Sequence, residues 1–376
     1  MYEIIDKYID KLMTSKPDMP LWNIESIRLG RKPRWNYIDG CMMTSLIELY
    51  KITKDEKYIN FVKKFVSFYI ADDGSILGFE PEKQAIDDVC ESKILFDLYN
   101  ITGENKYKKA IEITHQFLMA QPRTKEGSFW HKKIYPNQVW LDGIYMALPF
   151  YARYQTQFAG KNYNDLIDQL KLVRKYMFDE NKHLYYHGYD SSKEAFWADK
   201  KTGLSKSFWL RSIGWYTVAL ADLLEYVDEQ LYDEYHTIKA LLKEVIDGLL
   251  MYQDKESKMF YQVVDQGDKK GNYLETSGSS MIAYAILKGT RLEALPPRYR
   301  QIGVDIFNGI ANKYLTVKDG ELNLGGICLV AGLGPEDNKR RDGTFNYYIS
   351  EPIVENDAKG VGPFILAYTE MKKIKA

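Results

Sequence analysis

The sequence predicts an all-α fold, an (α/α)6 barrel of six helical hairpins closed into a toroid. Three observations point there. One loose unit recurs six times: a Gly- or Asp-marked turn, a helix rich in small and apolar residues, then a more polar helix. The first helix of each unit is apolar on most faces and the second is amphipathic, the pattern of a buried helix backed by a half-exposed one. The six anchors are unequally spaced, whereas stacked solenoid hairpins keep a near-constant period, so closure is favoured over an open array.

The N-terminal segment opens the outer layer, because Ile4, Ile5, Tyr8, Ile9 and Leu12 recur at helical spacing with charges between them. Five further amphipathic stretches, at 55–68, 105–118, 163–177, 233–250 and 297–314, complete a set of six outer helices. The buried helices begin near Tyr37-Ile38-Asp39-Gly40, Ile86-Asp87-Asp88-Val89, Trp140-Leu141-Asp142-Gly143 and Leu210-Arg211-Ser212-Ile213-Gly214. The last two begin near Thr276-Ser277-Gly278-Ser279 and Asn356-Asp357-Ala358-Lys359-Gly360. Extra residues precede buried helices at 121–137, 179–207 and 315–355, with short extended stretches at 183–190 and 259–264. Gathered at one end of a barrel, these insertions would form the rim of a cleft. No Pro/Ser-rich linker divides the chain, so residues 1–376 are expected to form one catalytic domain.

Composition narrows the function. Lys plus Arg number 51 against 52 Asp plus Glu, which gives no electrostatic footprint for nucleic acid. No apolar run is long enough for a signal peptide or a membrane span, so a cytoplasmic protein without membrane partners is expected. Cys41, Cys90 and Cys328 are odd in number and far apart, and read as packing residues. Aromatic residues reach 14%, with 30 Tyr and 7 Trp, enough to fill a core and also to stack on sugar faces.

Five carboxylates, Asp39, Asp87, Asp88, Asp142 and Asp357, stand at the N-terminal ends of buried helices. Asp at a helix start ordinarily caps free backbone N–H groups. Asp142 stands apart, because Trp140, Gly143, Tyr145 and Met146 enclose it in an aromatic setting that favours a protonated, proton-donating carboxyl. His131 and His187 lie in rim segments. His183 and His187 have the spacing of a helical metal pair, but the residues between them look extended and no Glu completes a zinc motif, so no metal and no cofactor are expected. Trp209, Arg211 and Trp215 crowd the start of the fourth buried helix, where the Arg is either a structural ion pair or a clamp on an anionic sugar. The run Ser277–Ser280 permits close helix approach, and Gly325-Gly326 and Gly332-Leu333-Gly334 read as turns.

Several strings resemble glycoside hydrolase family 105, the unsaturated rhamnogalacturonyl hydrolases. They are Gln138-Val-Trp-Leu-Asp-Gly-Ile-Tyr-Met-Ala-Leu-Pro-Phe150, Thr276-Ser-Gly-Ser-Ser-Met-Ile-Ala-Tyr-Ala285 and Ser350-Glu-Pro-Ile-Val-Glu-Asn-Asp-Ala-Lys-Gly-Val-Gly-Pro-Phe364, preceded by Arg34-Trp35. They run in family order over almost the whole chain. The resemblance implies an (α/α)6 barrel, an Asp acid at Asp142 and a second active-site Asp at Asp87, with Asp88 behind it. It also implies substrate contacts at His131, His187, Trp209, Arg211 and Trp215, with Tyr37 and Trp140 lining the pocket.

The implied partner is a small oligosaccharide ending in an unsaturated uronic acid. Its chemistry differs from ordinary glycoside hydrolysis between two flanking carboxyls. Asp142 would protonate C4 of the enol ether, water would add at C5, and the hemiketal would open to release the neighbouring sugar, rhamnose. Asp87 would favour the protonated form of Asp142 by like-charge repulsion. The competing readings are a family 88 unsaturated glucuronyl hydrolase acting on glycosaminoglycan fragments, an (α/α)6-barrel sugar epimerase, and a non-catalytic sugar-binding protein.

Overall fold

A computed structural model describes residues 2–318 and 320–375. Its helices are α1 (Tyr2–Leu12), α2 (Ile24–Leu29), α3 (Tyr37–Thr53), α4 (Glu56–Val66), α5 (Asp87–Cys90), α6 (Lys93–Thr102), α7 (Asn105–Met119) and α8 (Leu141–Phe158). They continue with α9 (Asn164–Met177), α10 (Leu210–Tyr226), α11 (Tyr232–Leu250), α12 (Thr276–Arg291), α13 (Tyr299–Tyr314), α14 (Phe345–Ser350) and α15 (Ala358–Lys375). The inner ring runs α3, α5 with α6, α8, α10, α12 and α15, each packed on the next, and it closes where α15 returns to α3. Helices α4, α7, α9, α11 and α13 back their predecessors. Helix α1 completes the outer layer against α15, with Tyr2 edge-on to Tyr368 at 5.2 Å and Lys372 3.3 Å from Asp6. The expected (α/α)6 barrel is therefore the fold.

The two layers follow from residue pattern. In α4 the buried residues are Tyr58, Ile59, Val62, Phe65 and Val66, a single stripe, and Asp55 caps its start by accepting the Lys57 N–H at 3.0 Å. In α12 every residue from Thr276 to Thr290 is buried. Small residues let it lie close to α10: a Cβ on Gly214 would stand 2.8 Å from Met281 Sδ and 3.2 Å from Gly278 Cα. Its N-terminal amides are met by the buried Glu275 carboxylate, which accepts from Ser277, Gly278 and Cys328.

The second inner position departs from a continuous helix. After Cys90 the chain tightens, with Ser92 N–H donating to Val89 at 3.0 Å and Leu95 N–H to Ser92 at 3.1 Å, before α6 resumes. The Glu91 side chain turns inward there and accepts the Asn36 N–H at 2.7 Å, tying the break to the start of α3.

The rim is built from paired extended segments. Gln138–Trp140 lies antiparallel to Gly188–Asp190, and Ile327–Cys328 to Ile353–Val354. Leu315–Lys318 and Glu321–Leu324 form a further hairpin. Stretch 259–263 makes only isolated bridges, Tyr261 to Leu274 and Val263 to Trp209. All three cysteines are buried and free. No helix among the described residues is long and apolar enough to cross a membrane.

The opposite end of the ring carries a belt of ion pairs. Arg153 of α8 meets Asp97 of α6 at 2.6 Å, and Asp97 meets Lys51 of α3 at 3.0 Å. Lys51 and Glu48 pair at 2.6 Å, Glu48 reaches Lys373 of α15 at 3.8 Å, and Glu370 meets Arg291 of α12 at 2.8 Å. Lys288 then holds both Asp222 and Glu225 of α10, at 2.7 and 2.6 Å. Arg153 lies 5.1 Å from the Tyr226 ring, returning the circuit to α8. Removing one member of such a buried group leaves its partners charged and unpaired. Lys288→Met is expected to lower unfolding free energy by about 3–5 kcal/mol in denaturant titration.

Candidate active site

The inner helices start around a cavity of about 500 Å³ at the rim end. Tyr37, Asp87, Asp88, His131, Trp140 and Asp142 all line it. Asp142 occupies the first turn of α8, following the strand Gln138–Trp140. Helix N-terminal N–H groups and their partial positive charge favour a carboxylate at that point. The next residue is Gly143, and a Cβ there would meet His131 Nδ1 at 3.0 Å and Ile86 Cδ1 at 2.7 Å. Glycine thus lets the His131 segment close over the start of α8.

One side of Asp142 is held by a chain of buried groups. His187 Nε2 lies 3.1 Å from Asp142 Oδ2, off the line a hydrogen bond requires, and neither atom has another hydrogen-bond partner. The other ring nitrogen, Nδ1, shares a hydrogen bond of 2.6 Å with the Tyr348 hydroxyl. Trp209 packs behind, 4.8 Å from the His187 ring and stacked on Tyr348 at 5.7 Å. The imidazole is therefore fixed in orientation by packing and by one polar contact.

Asp87 stands across the cavity with its charge met. Lys132 Nζ is 2.5 Å from Oδ2 and His131 Nε2 is 3.5 Å from Oδ1. Burial alone would raise this carboxyl, but Lys132, His131 and Arg34 outweigh it and hold the group below its ordinary value. Asp87 is thus an anion whose charge is met by Lys132. His131 is driven the other way, down to about 4, chiefly by burial against the partial opposition of Asp87. Its ring stacks on Trp140 at 4.3 Å, and Trp140 stacks on Tyr135 at 4.7 Å. At neutral pH the wall beside Asp142 is a neutral imidazole on an aromatic platform.

Asp88 faces Arg34, one of whose nitrogens donates to both carboxylate oxygens at 2.7 and 2.9 Å. Burial pushes this carboxyl up to about 6, with Arg34 opposing and Asp87 adding to the rise. The other two helix-start carboxylates do not line the cavity. Asp39 accepts from the Trp22 indole at 2.9 Å and from Asn36 at 2.8 Å, while Asp357 accepts the Lys359 N–H at 3.0 Å and pairs with its ammonium. Asp357 thus caps as a helix-start Asp is expected to, whereas α3 is capped by Asn36 and Asp39 takes only side-chain donors.

The remaining sequence-derived residues sit one layer back. Arg211 is fully buried, donates to the Cys328 carbonyl, and leaves Nε and Nη1 without partners. Trp215 stacks on Tyr145 at 4.5 Å below the cavity and meets the Tyr37 ring edge-on at 6.5 Å. Neither these nor Trp209 forms part of the cavity lining. Sequence reasoning missed Lys132, Tyr348 and Arg341, and gave Arg34 no role. It also read Gly332 only as a turn, whereas this glycine lines the cavity, with its N–H donating to the Tyr347 hydroxyl at 2.9 Å. Lys132 follows His131 directly and was within reach; Tyr348 and Arg341 come from a distant insertion with no local signal. Among the described residues no three His, Cys, Asp or Glu side chains converge as a metal would require.

The profile of glycosyl hydrolase family 88 matches residues 4–375. The chain belongs to this family. It is 41% identical to a family 105 glycoside hydrolase from C. acetobutylicum ATCC 824, superposing with a TM-score of 0.90 over 99% of both chains. It thus falls with the family 105 members, as the motif strings implied. The unsaturated rhamnogalacturonyl hydrolase YesR of Bacillus subtilis is 28% identical over 265 residues, 69% of this chain and 72% of YesR. The unsaturated glucuronyl hydrolase of Bacillus sp. GL1 shares the fold at a TM-score of 0.62 and 15% identity, over 90% of this chain and 86% of its own.

The cavity's electrostatics can be checked directly. Followed by carbon NMR of labelled aspartate, the Asp88 carboxyl should titrate near pH 6. Arg34→Gln removes an opposing cation and should move that midpoint up; Asp87→Asn removes a neighbouring anion and should move it down.

Proposed function

We propose that this family 88/105 glycosidase removes the terminal Δ4,5-unsaturated galacturonyl residue from lyase-generated rhamnogalacturonan oligosaccharides by hydrating its enol-ether double bond. The observation that carries the reading is Asp142. It is a cavity-lining carboxyl at a helix start, beside aromatic rings and contacted by an imidazole that is itself held by Tyr348. The substrate class is supported by the likeness to YesR and to the family 105 structure.

In this mechanism Asp142 delivers a proton to C4. Positive charge develops at C5, where the ring oxygen shares it. Water adds at C5 and gives up a proton to the Asp142 carboxylate, restoring the acid. The hemiketal opens, the C1 substituent leaves, and the neighbouring sugar is released. Asp87, paired with Lys132, lines the same cavity and is placed to hold the sugar through hydrogen bonds. Trp140, packed against His131 and Tyr135, gives the cavity an aromatic wall. His187, buried behind the cavity wall, is placed to orient the Asp142 carboxyl.

The reaction is read optically, since hydration destroys the conjugated chromophore of the unsaturated uronate. The wild-type protein should bleach a lyase-treated rhamnogalacturonan digest faster than chondroitin disaccharides. Asp142→Asn should reduce kcat roughly a thousandfold or more with the fold intact. In labelled water the oxygen should appear at C5; label at the anomeric carbon overturns the hydration route. Faster bleaching of chondroitin disaccharides would move the substrate assignment to the glycosaminoglycan class.

A further inference from the structure

The cavity's charges pair off almost completely. Glu25 takes Arg31 at 2.7 Å, Asp88 takes Arg34, Asp87 takes Lys132, and Lys83 takes Glu80 at 2.5 Å. Among the described residues lining the cavity, one cation is left without a carboxylate: Arg341. Its Nε is buried and has no hydrogen-bond partner. The guanidinium is held in place by its surroundings. Nη1 would stand 3.4 Å from a Cβ on Gly332, whose other neighbour is the Trp140 ring, and the backbone is pinned by the Gly334 N–H donating to the Arg341 carbonyl at 2.8 Å. A Cβ on Gly334 would fall 2.1 Å from the Asn338 carbonyl oxygen, so the turn requires glycine there, while one on Gly332 would sit 3.3 Å from the Trp140 ring.

A half-buried guanidinium with unmet donors at the edge of a sugar-sized cavity is a carboxylate receptor awaiting its anion. We propose that Arg341 binds a substrate carboxylate and so selects uronic acids over neutral sugars at this mouth. The inference takes the identity of the sugar from the function proposed above, but the receptor itself is read from charge pairing alone. Two carboxylates of a rhamnogalacturonan fragment could meet it: that of the terminal unsaturated uronate, or that of the next uronate along the chain. Leu333, buried against Trp140 and Trp197 between the two glycines, anchors the loop so that the guanidinium does not swing freely into solvent.

The test uses a probe that does not depend on turnover. Galacturonate is titrated calorimetrically into wild type, Arg341→Ala, Arg341→Gln and Arg341→Lys, with galactose as the neutral control. Wild type should bind galacturonate more tightly than galactose. Loss of a charge-assisted pair should weaken galacturonate binding roughly ten- to a hundredfold in the Ala and Gln variants, with partial retention in Lys. Kinetics then separate the two sources. A fall in kcat/KM on the unsaturated disaccharide places the terminal carboxylate on Arg341, and a fall confined to the tetrasaccharide places the second one there. If all variants stay within about twofold of wild type in binding and in both rates, or if the wild type neither binds galacturonate nor turns over either substrate, the proposal is overturned. A wild type that binds galacturonate through Arg341 yet bleaches no unsaturated substrate instead rejects the hydrolase reading and leaves the receptor standing.

Discussion

A charge along the length of an inner helix surrounded on every side is costly to bury, so most charges go to its two ends. That constraint organises this molecule. The flanks of α12 are apolar or small along most of their length, and α10 is buried through Leu224. Most charged residues of the inner ring collect at the two mouths: Asp87, Asp88 and Asp142 at the rim, and the belt from Glu48 to Lys373 at the base. Lys93 is an exception, buried with its ammonium 3.4 Å from the Tyr145 ring. The two ends then solve the cost of burial differently. At the base each anion has a cation, so the group is closed to chemistry. At the rim Asp142 touches only an imidazole, and Arg341 has no anion.

This division explains how much could be read from the chain. Buried helices announce themselves by being apolar all round, and their starts by Asp and Gly, so the six anchors and the (α/α)6 ring were legible. The place of Asp142 at a helix start opening on the cavity was legible too, whereas Tyr145 turns away to pack on Trp215. The pairing of charges was not. Arg34 and Asp88 are 54 positions apart, and His187 and Tyr348 are 161 apart. No local pattern tells a carboxylate which cation the fold will bring to it, and that is why the pairing of Asp87 with Lys132 was not read.

The same limit applies to depth. Trp209, Arg211 and Trp215 cluster at the start of α10 as the sequence suggested, but the helix carries them behind the cavity wall. There they pack His187, Cys328 and Tyr145 rather than face open space. Their contribution is to fix what the first layer presents. Conversely, Gly332, read only as part of a turn, lines the wall itself beside Trp140 and Arg341.

The ionic belt also bears on the direction of traffic. Lys288, Asp222 and Glu370 are buried at the base, at the other end of the inner helices from the cavity. On the function proposed above, a chain end would enter and its released unit would leave by the same mouth.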